Sequence, residues 1–347
     1  MRYCLLVFKF GLIGILTVYC LPVVTIQSQM VDSRRVVELQ FNNWVAESAF
    51  SPDGKSFVAS RSLGGELRLW ETATWTVIRN FNHSGSPRSG VFSPDSTMVV
   101  TSTAELANGG LYNSKVWFWD VKTGKSLQVI ERGDVEDPVG PILFSPNGKM
   151  MAWGAGRGNL KLVDIQDLKN IKTIYEKIDL FNYSSISSMS FSPNGTYLAV
   201  AALRDPFIVF EVSTGKEVFR NKDIPHAYQI AFSPDGKTLS IAGKLQKGNE
   251  DQLTVRLFKT DSWEMIADLR DRDAGERLGF TPDGNSLIFI GERKIEVYDI
   301  RAKRVSKKIT NKYSISAASI APNGKSVAIG DLLGHTIRIY PISASAK

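Results

Sequence analysis

The chain has 347 residues, 43% of them hydrophobic and 22% charged, with a formal net charge of +7. That balance excludes a disordered polyelectrolyte or a collagen-like fibre, and it supplies apolar material for a large core. The two cysteines, Cys4 and Cys20, lie near the start, so no thiol beyond them is available for a disulfide framework or a cysteine metal site.

The first thirty residues stand apart from the rest. Arg2 is followed by an apolar run over residues 4–26, interrupted by Lys9 and Pro22, and no acidic residue precedes Asp32. A positive start, an apolar middle and a polar exit read as a secretory signal over residues 1–29. An uncleaved membrane anchor is the alternative, because residues 10–26 approach the roughly 17–25 residues that span a bilayer. The exit at Ile26-Gln27-Ser28 offers one small residue where two are preferred, and Tyr19 before Cys20 is too large for a lipobox. The expectation is an exported domain, periplasmic, cell-surface or secreted. It would touch a membrane only through this segment, and only if the segment stays uncleaved.

Residues 36–41 (VVELQF) read as a strand, and after them one phrase returns seven times. It is AFSPDGKSFVAS from Ala49, VFSPDSTMVVTS from Val91, LFSPNGKMMAWG from Leu143 and SFSPNGTYLAVA from Ser190. It continues as AFSPDGKTLSIA from Ala231, GFTPDGNSLIFI from Gly279 and SIAPNGKSVAIG from Ser319. In each, an apolar run ends in a turn where proline presets φ, Asp or Asn caps locally, and Gly takes a positive φ. A second β-rich run follows at once, which makes the phrase a hairpin. The phrase prolines are 42, 52, 47, 41, 48 and 40 residues apart, the period of four-stranded propeller blades.

Third strands follow as LRLWE from Leu67, VWFWD from Val116, LKLVD from Leu160, IVFEV from Ile208, VRLFK from Val255, IEVYD from Ile295 and IRIYP from Ile337. Polar turns such as Lys122-Thr123-Gly124-Lys125 lead into fourth strands, for example residues 76–81 and 126–130. The seventh repeat reaches only its third strand at Tyr340, and residues 36–41 supply the missing fourth. The expected fold is all-β: a seven-bladed β-propeller over residues 36–341, four antiparallel strands per blade, closed by the N-terminal strand.

These residues resemble the WD-repeat family. Trp70-Glu71 and Trp119-Asp120 match its Trp-Asp pair, and Asp164, Glu211 and Asp299 keep the acid after Val163, Phe210 and Tyr298. The sequence departs from the family in lacking its Gly-His pair ahead of the first strand; Gly334-His335 falls between second and third strands. That departure puts the family's His–Ser–Trp network in doubt here. The Ser-Pro-Asp-Gly phrase is also similar to the repeats of TolB-like periplasmic propellers, the alternative label for the same architecture.

Little in the chain points to catalysis. His83, His226 and His335 fall in different blades, too scattered for a three-histidine metal site with second-shell support. Asp268, Asp271 and Asp273 are interleaved by Arg270, Arg272 and Arg277 and read as a self-paired loop rather than a calcium site. No nucleophile elbow, phosphate loop or zinc-hydrolase motif occurs. Neither a cofactor nor a metal is expected, and the alternative to a non-catalytic binding propeller is a small-ligand or hydrolytic one working at the central channel.

In a WD-type ring, the loops before first strands and those between second and third strands share one face. Long connections occur there at residues 103–114 and 243–252, and loops lengthened on one face commonly form a contact surface. Aromatic and arginine anchors on that face are Trp44, Arg88, Tyr112, Tyr183, Tyr228 and Arg277, residue types that dominate interfaces. A protein or peptide partner is therefore expected. The basic cluster Arg301, Lys303, Arg304, Lys307, Lys308 and Lys312 reads as an outer strand charged against edge pairing. No aromatic interleaves it, so nucleic acid is not expected as a partner.

Overall fold

In the computed structural model the chain is described over residues 36–342, apart from 42–44, 62–64, 107–111, 136–138, 156–158, 170–171, 178–184, 204, 248–249, 271–276 and 334. The expected signal or anchor over residues 1–29 lies outside the described residues. Seven four-stranded antiparallel sheets are formed, six from consecutive strands and one that joins both ends of the propeller. The seven inner strands are Val45–Phe50, Ser86–Phe92, Val139–Phe144, Ile186–Phe191, His226–Phe232, Arg277–Phe280 and Ile315–Ile320. Each contacts the next, and the last contacts the first, so the ring is complete.

The second strand of a blade is buried on both faces, which is why Ser56–Arg61, Tyr197–Ala202, Ser286–Ile290 and Ser326–Asp331 are buried at consecutive positions and not merely at alternate ones. In blade four, Leu198, Val200 and Ala202 share a core with blade three, while Ala199 and Ala201 share one with blade five. Each hydrophobic cluster is built by two adjacent blades in this way. No blade has a core of its own.

The ring shuts where the sequence pattern requires. Val37–Gln40 pairs antiparallel with Thr336–Pro341, setting Val37 against Ile339 and Leu39 against Ile337. Phe41 N–H donates to the His335 carbonyl at 2.9 Å, and Arg338 meets Glu38 at 2.8 Å across the joint.

The Ser-Pro-Asp-Gly turns show why the phrase repeats. Ser51 Oγ donates to Asp53 Oδ1 at 2.6 Å and accepts from Ser56 N–H at 2.8 Å. The same pair of bonds recurs at Ser93, Ser145, Ser192, Ser233 and Thr281. One hydroxyl thus locks both arms of the hairpin. These bonds hold the Asp95, Asp235 and Asp283 carboxyls below the usual carboxylate range. Blade two places Ser96 where the other turns have Gly; it takes a φ of 62° and its hydroxyl accepts from Asp53 N–H at 3.1 Å. A side chain is not tolerated so easily at Gly324, where a Cβ would lie 2.4 Å from Pro282 Cδ of the preceding blade.

Blade seven carries Ala321 at the hydroxyl position, and its turn keeps only backbone bonds and the Asn323 cap. Ala321→Ser is expected to stabilise the protein by about 1 kcal/mol, one added hydrogen-bonding hydroxyl. Urea unfolding of the two proteins side by side measures it, and an unchanged midpoint would refute the assigned role of the hydroxyl.

Candidate binding face

The inner strands place their N-terminal ends on one face of the ring. Six of them carry a register shift there, at Val45/Glu47, Pro87/Ser89, Val139/Ile142, Ile186/Ser188, Ala227/Gln229 and Ile315/Ala317. A bulge leaves one residue unpaired and re-aims its side chain. Tyr228 is such a residue, and Arg88 is the residue skipped in the blade-two register.

Inner strands splay apart and cannot pair with one another, so their free backbone groups need other partners. Small hydroxyls provide them across the blade junctions. Ser89 Oγ accepts from Ile142 N–H at 3.2 Å, Ser188 Oγ from Ile230 N–H at 3.3 Å and Ser319 Oγ from Phe50 N–H at 3.1 Å. Ser187 and Ser316 donate to the Ala227 and Val45 carbonyls, each at 2.8 Å. Arg277 performs the same stitch between blades six and seven, donating from Nε to the Ala318 carbonyl at 2.9 Å. Its guanidinium also reaches Glu47 of blade one at 3.7 Å. Arg277, expected as a free partner anchor, is therefore tied into the ring.

The described parts of the two long connections are paired strands. Met98–Leu106 and Tyr112–Asp120 stay paired as far as Leu106 and Tyr112, and Ser126–Val135 extends alongside with Val135 against Tyr112. In blade five, Thr238–Lys247 and Glu250–Lys259 stay paired as far as Lys247 and Glu250. Their second strands have nine and ten residues, against six in Ser56–Arg61. At ~3.4 Å per residue, the extra three or four residues raise each hairpin roughly 10–14 Å above the face. Sequence reasoning took these segments for loops because Gly109-Gly110 and Gly248-Asn249 are turn-forming residues.

The remaining expected anchors divide unevenly. Tyr228 is half-buried at the bulge of blade five, and Tyr112 opens the third strand of the blade-two tab. Arg88 sits on the blade-two inner strand; the side chains of Arg88 and Tyr112 are outside the described set, as are Trp44 and Tyr183 altogether. His226 is engaged, with Nδ1 2.7 Å from the Leu203 carbonyl. Asp268 receives Thr254 Oγ1–H at 2.6 Å and lies 3.4 Å from both Arg256 and Arg270, the self-paired arrangement expected of it; Asp271 and Asp273 lie outside the described residues. Among the described residues, no three of His, Cys, Asp and Glu converge.

One histidine was undervalued by sequence reasoning. His83 follows the blade-one outer strand and precedes the blade-two inner strand, with Asn82 where the family has glycine. Its ring lies 6.1 Å from Trp117 and 6.2 Å from Trp119, and Trp119 Nε1–H donates to Thr101 Oγ1 at 3.2 Å. Blade two thus gathers a histidine, a hydroxyl and a tryptophan, although neither ring nitrogen of His83 has a hydrogen-bond partner. Blade seven fills the same junction differently. Asn311 Nδ2–H donates to the buried Asp331 at 2.6 Å, Tyr340 O–H donates to Asn311 Oδ1 at 3.1 Å, and Arg338 closes on Asp331.

Comparison with known proteins shows what this propeller is similar to. The model of the WD domain, G-beta repeat, matches residues 177–208, which include the first two strands of blade four. A WD-type repeat is thus matched within the propeller, and the chain is similar to WD-repeat proteins. The TolB-like label is secondary to that similarity. The WD repeat-containing protein SL1-17 of Schistosoma mansoni is 24% identical over 54% of this chain and 58% of its own length. The human U3 small nucleolar RNA-associated protein 18 homolog is 27% identical over 53% of this chain and 33% of its own. Human Pre-mRNA-processing factor 17 is 24% identical over 55% and 32% respectively. The matches thus span from about a third to three-fifths of these curated relatives. Among solved structures, a chain of Kuenenia stuttgartiensis hydrazine synthase superposes with a TM-score of 0.73 over 88% of this chain and 98% of that one. At 14% identity the likeness is one of fold alone.

These relatives correct the exported setting read from residues 1–29. Two are named for small nucleolar RNA association and pre-mRNA processing, which conflicts with a periplasmic, cell-surface or secreted WD-repeat propeller. An apolar run with a positive start is a compositional signal, and composition alone does not fix a destination. Among the described residues, no helix is long and apolar enough to cross a membrane.

Burial among the tryptophans pushes the His83 imidazole down to about 4, whereas an unfolded histidine titrates near 6.5. The unfolded state therefore takes up this proton first as pH falls, and the stability contributed by neutral His83 is lost between about pH 6.5 and 4. From pH 7.5 to 5 the loss is expected to be about 2 kcal/mol. Urea unfolding of the wild type and His83→Phe at both pH values tests this: the substitution should remove that part of the pH dependence, and an unaltered slope would show that His83 is not its source.

Proposed function

We propose that this chain is a non-catalytic scaffold that holds a protein or peptide partner on the face between the blade-two and blade-five tabs. The observation that carries the reading is asymmetry. Two paired hairpins rise from one face, while the opposite face keeps short, internally bonded turns. Two blades separate the tabs on one side of the ring and three on the other, so they flank the channel mouth. Between them lie the bulged Tyr228 and the inner-strand Arg88.

The engaged polar groups support a binding surface over a reactive centre. Glu47 is paired with Arg277, and His226 is held by a backbone carbonyl; neither is poised as a free general acid or base. Relatives named for RNA processing support a place in an RNA-handling assembly, where a propeller would hold protein components together.

Purified complexes provide the test. Tyr112→Ala/Tyr228→Ala should weaken partner capture at least tenfold, the scale of two lost aromatic anchors. Lys149→Ala/Lys237→Ala, on the opposite turns, should leave capture within about twofold, as expected for substitutions outside the interface. The reverse pattern would place the partner on the other face.

A further inference from the structure

The outer strand of blade six, Arg304–Thr310, differs from the other described outer strands. Residues 292–312 hold eight cations and three carboxylates, a local excess of five in a chain whose net charge is +7. Arg304, Ser306, Lys308 and Thr310 are the exposed row, while Val305, Lys307 and Ile309 are half-buried. Arg301 and Lys303 extend the row at one end and Lys312 at the other, all exposed.

Part of this charge is engaged within the protein. Lys308 lies 3.8 Å from Glu296, and Lys307 donates to the Pro341 carbonyl at 2.9 Å. Asp299 caps Ala302 N–H at 2.7 Å. Among the described residues, Arg301, Lys303 and Arg304 have no carboxylate within ion-pair distance.

Protection of a sheet edge from pairing is the simplest reason for such charge. The rest of the molecule argues against it. Other outer strands leave Val77, Ile78, Leu127, Val218, Met265 and Ile266 between 39% and 49% exposed. Of the cations on them, Arg220 is paired with Glu217 at 2.7 Å and Arg79 is held by the backbone carbonyls of Val121, Lys122 and Thr123. Edges here are left apolar, so the blade-six charge needs another cause.

We propose that the Arg301–Lys312 strip binds the phosphate backbone of RNA. A single row of cations along an extended strand suits a regular, hydrated polyanion. A bilayer surface would draw on apolar side chains to enter the interface as well, and the exposed row has none. No aromatic stands in the row to stack bases, so binding is to the backbone and independent of sequence. The choice of RNA rests on the reading of the chain as part of an RNA-handling assembly; the strip itself lies on an outer strand, at the ring's circumference.

Fluorescence anisotropy of the full chain with a labelled uridine homopolymer of about 20 nucleotides tests this without any protein partner. Affinity should fall linearly with salt on logarithmic axes, with a slope of about −3 for four or five phosphates. Lys303→Glu/Arg304→Glu/Lys308→Glu should weaken binding by about 30-fold or more at ~0.1 M salt and flatten that slope. The neutral Lys303→Gln/Arg304→Gln/Lys308→Gln should show a smaller loss in the same direction, and thermal melting of both confirms that the ring is intact. Lys55→Glu/Lys149→Glu/Lys237→Glu makes the same change in net charge elsewhere and should stay within about threefold. Equal losses in both charge-reversal triples would overturn the strip as the site. Equal binding to polyglutamate or to phosphatidylserine vesicles would overturn RNA as its partner. Failure of the tab variants to affect protein capture would leave this result untouched.

Discussion

Every blade of this propeller depends on its neighbours, because each hydrophobic core is shared across a junction and none lies within a blade. A core of that kind is complete only when the circle is. The pairing of Val37–Gln40 with Thr336–Pro341 is therefore the constraint on which the rest stands. It gives blade seven its fourth strand, and it brings Phe41 onto Trp70, with ring centroids 5.7 Å apart. Serine hydroxyls and Arg277 then stitch the inner strands together around the channel.

The junctions also explain why the repeats diverge without loss of fold. The residue ten positions before each turn's first residue is Phe41 in blade one, His83 in blade two and Asn311 in blade seven. Each meets the aromatic that ends the third strand: Trp70, Trp119 and Tyr340. An aromatic contact, a buried imidazole and an amide hydrogen bond thus fill one structural slot. Trp75 and Trp263 show similar substitution at the turns before the outer strands. Both take positive φ, as Gly124 and Gly215 do at the matching positions. Trp263 stacks on Phe219 of the preceding blade at 5.2 Å, so packing offsets the backbone strain.

The fold was legible because its signal is periodic. Ser-Pro-Asp-Gly recurs since one hydroxyl, one carboxylate and one positive φ make the hairpin turn, and seven copies plus a spare strand at residues 36–41 dictate the ring. The site was legible only in part. The face was placed by topology, but the tabs read as loops, because strand pairing beyond the ring leaves no periodic mark. Arg277 looked like an anchor by residue type, and only the geometry ties it to Ala318 and Glu47. His83 was visible ahead of its strand, but Asn82 in place of glycine disguised it. The basic cluster read as edge protection from the sequence; the other outer strands, with exposed Val77, Leu127 and Met265, are what set it apart in the structure. Destination was read from composition, the weakest of these signals, and the relatives corrected it.

The central claim, that partners sit on the face carrying the tabs, is tested most directly by lysine cross-linking of the assembled complex followed by mass spectrometry. Both faces carry reporters: Lys115, Lys244 and Lys247 on the tabs, and Lys55, Lys149, Lys237 and Lys325 on the opposite turns. The account predicts that links to partner proteins concentrate on the tab lysines. Links concentrated on the turn lysines would contradict it.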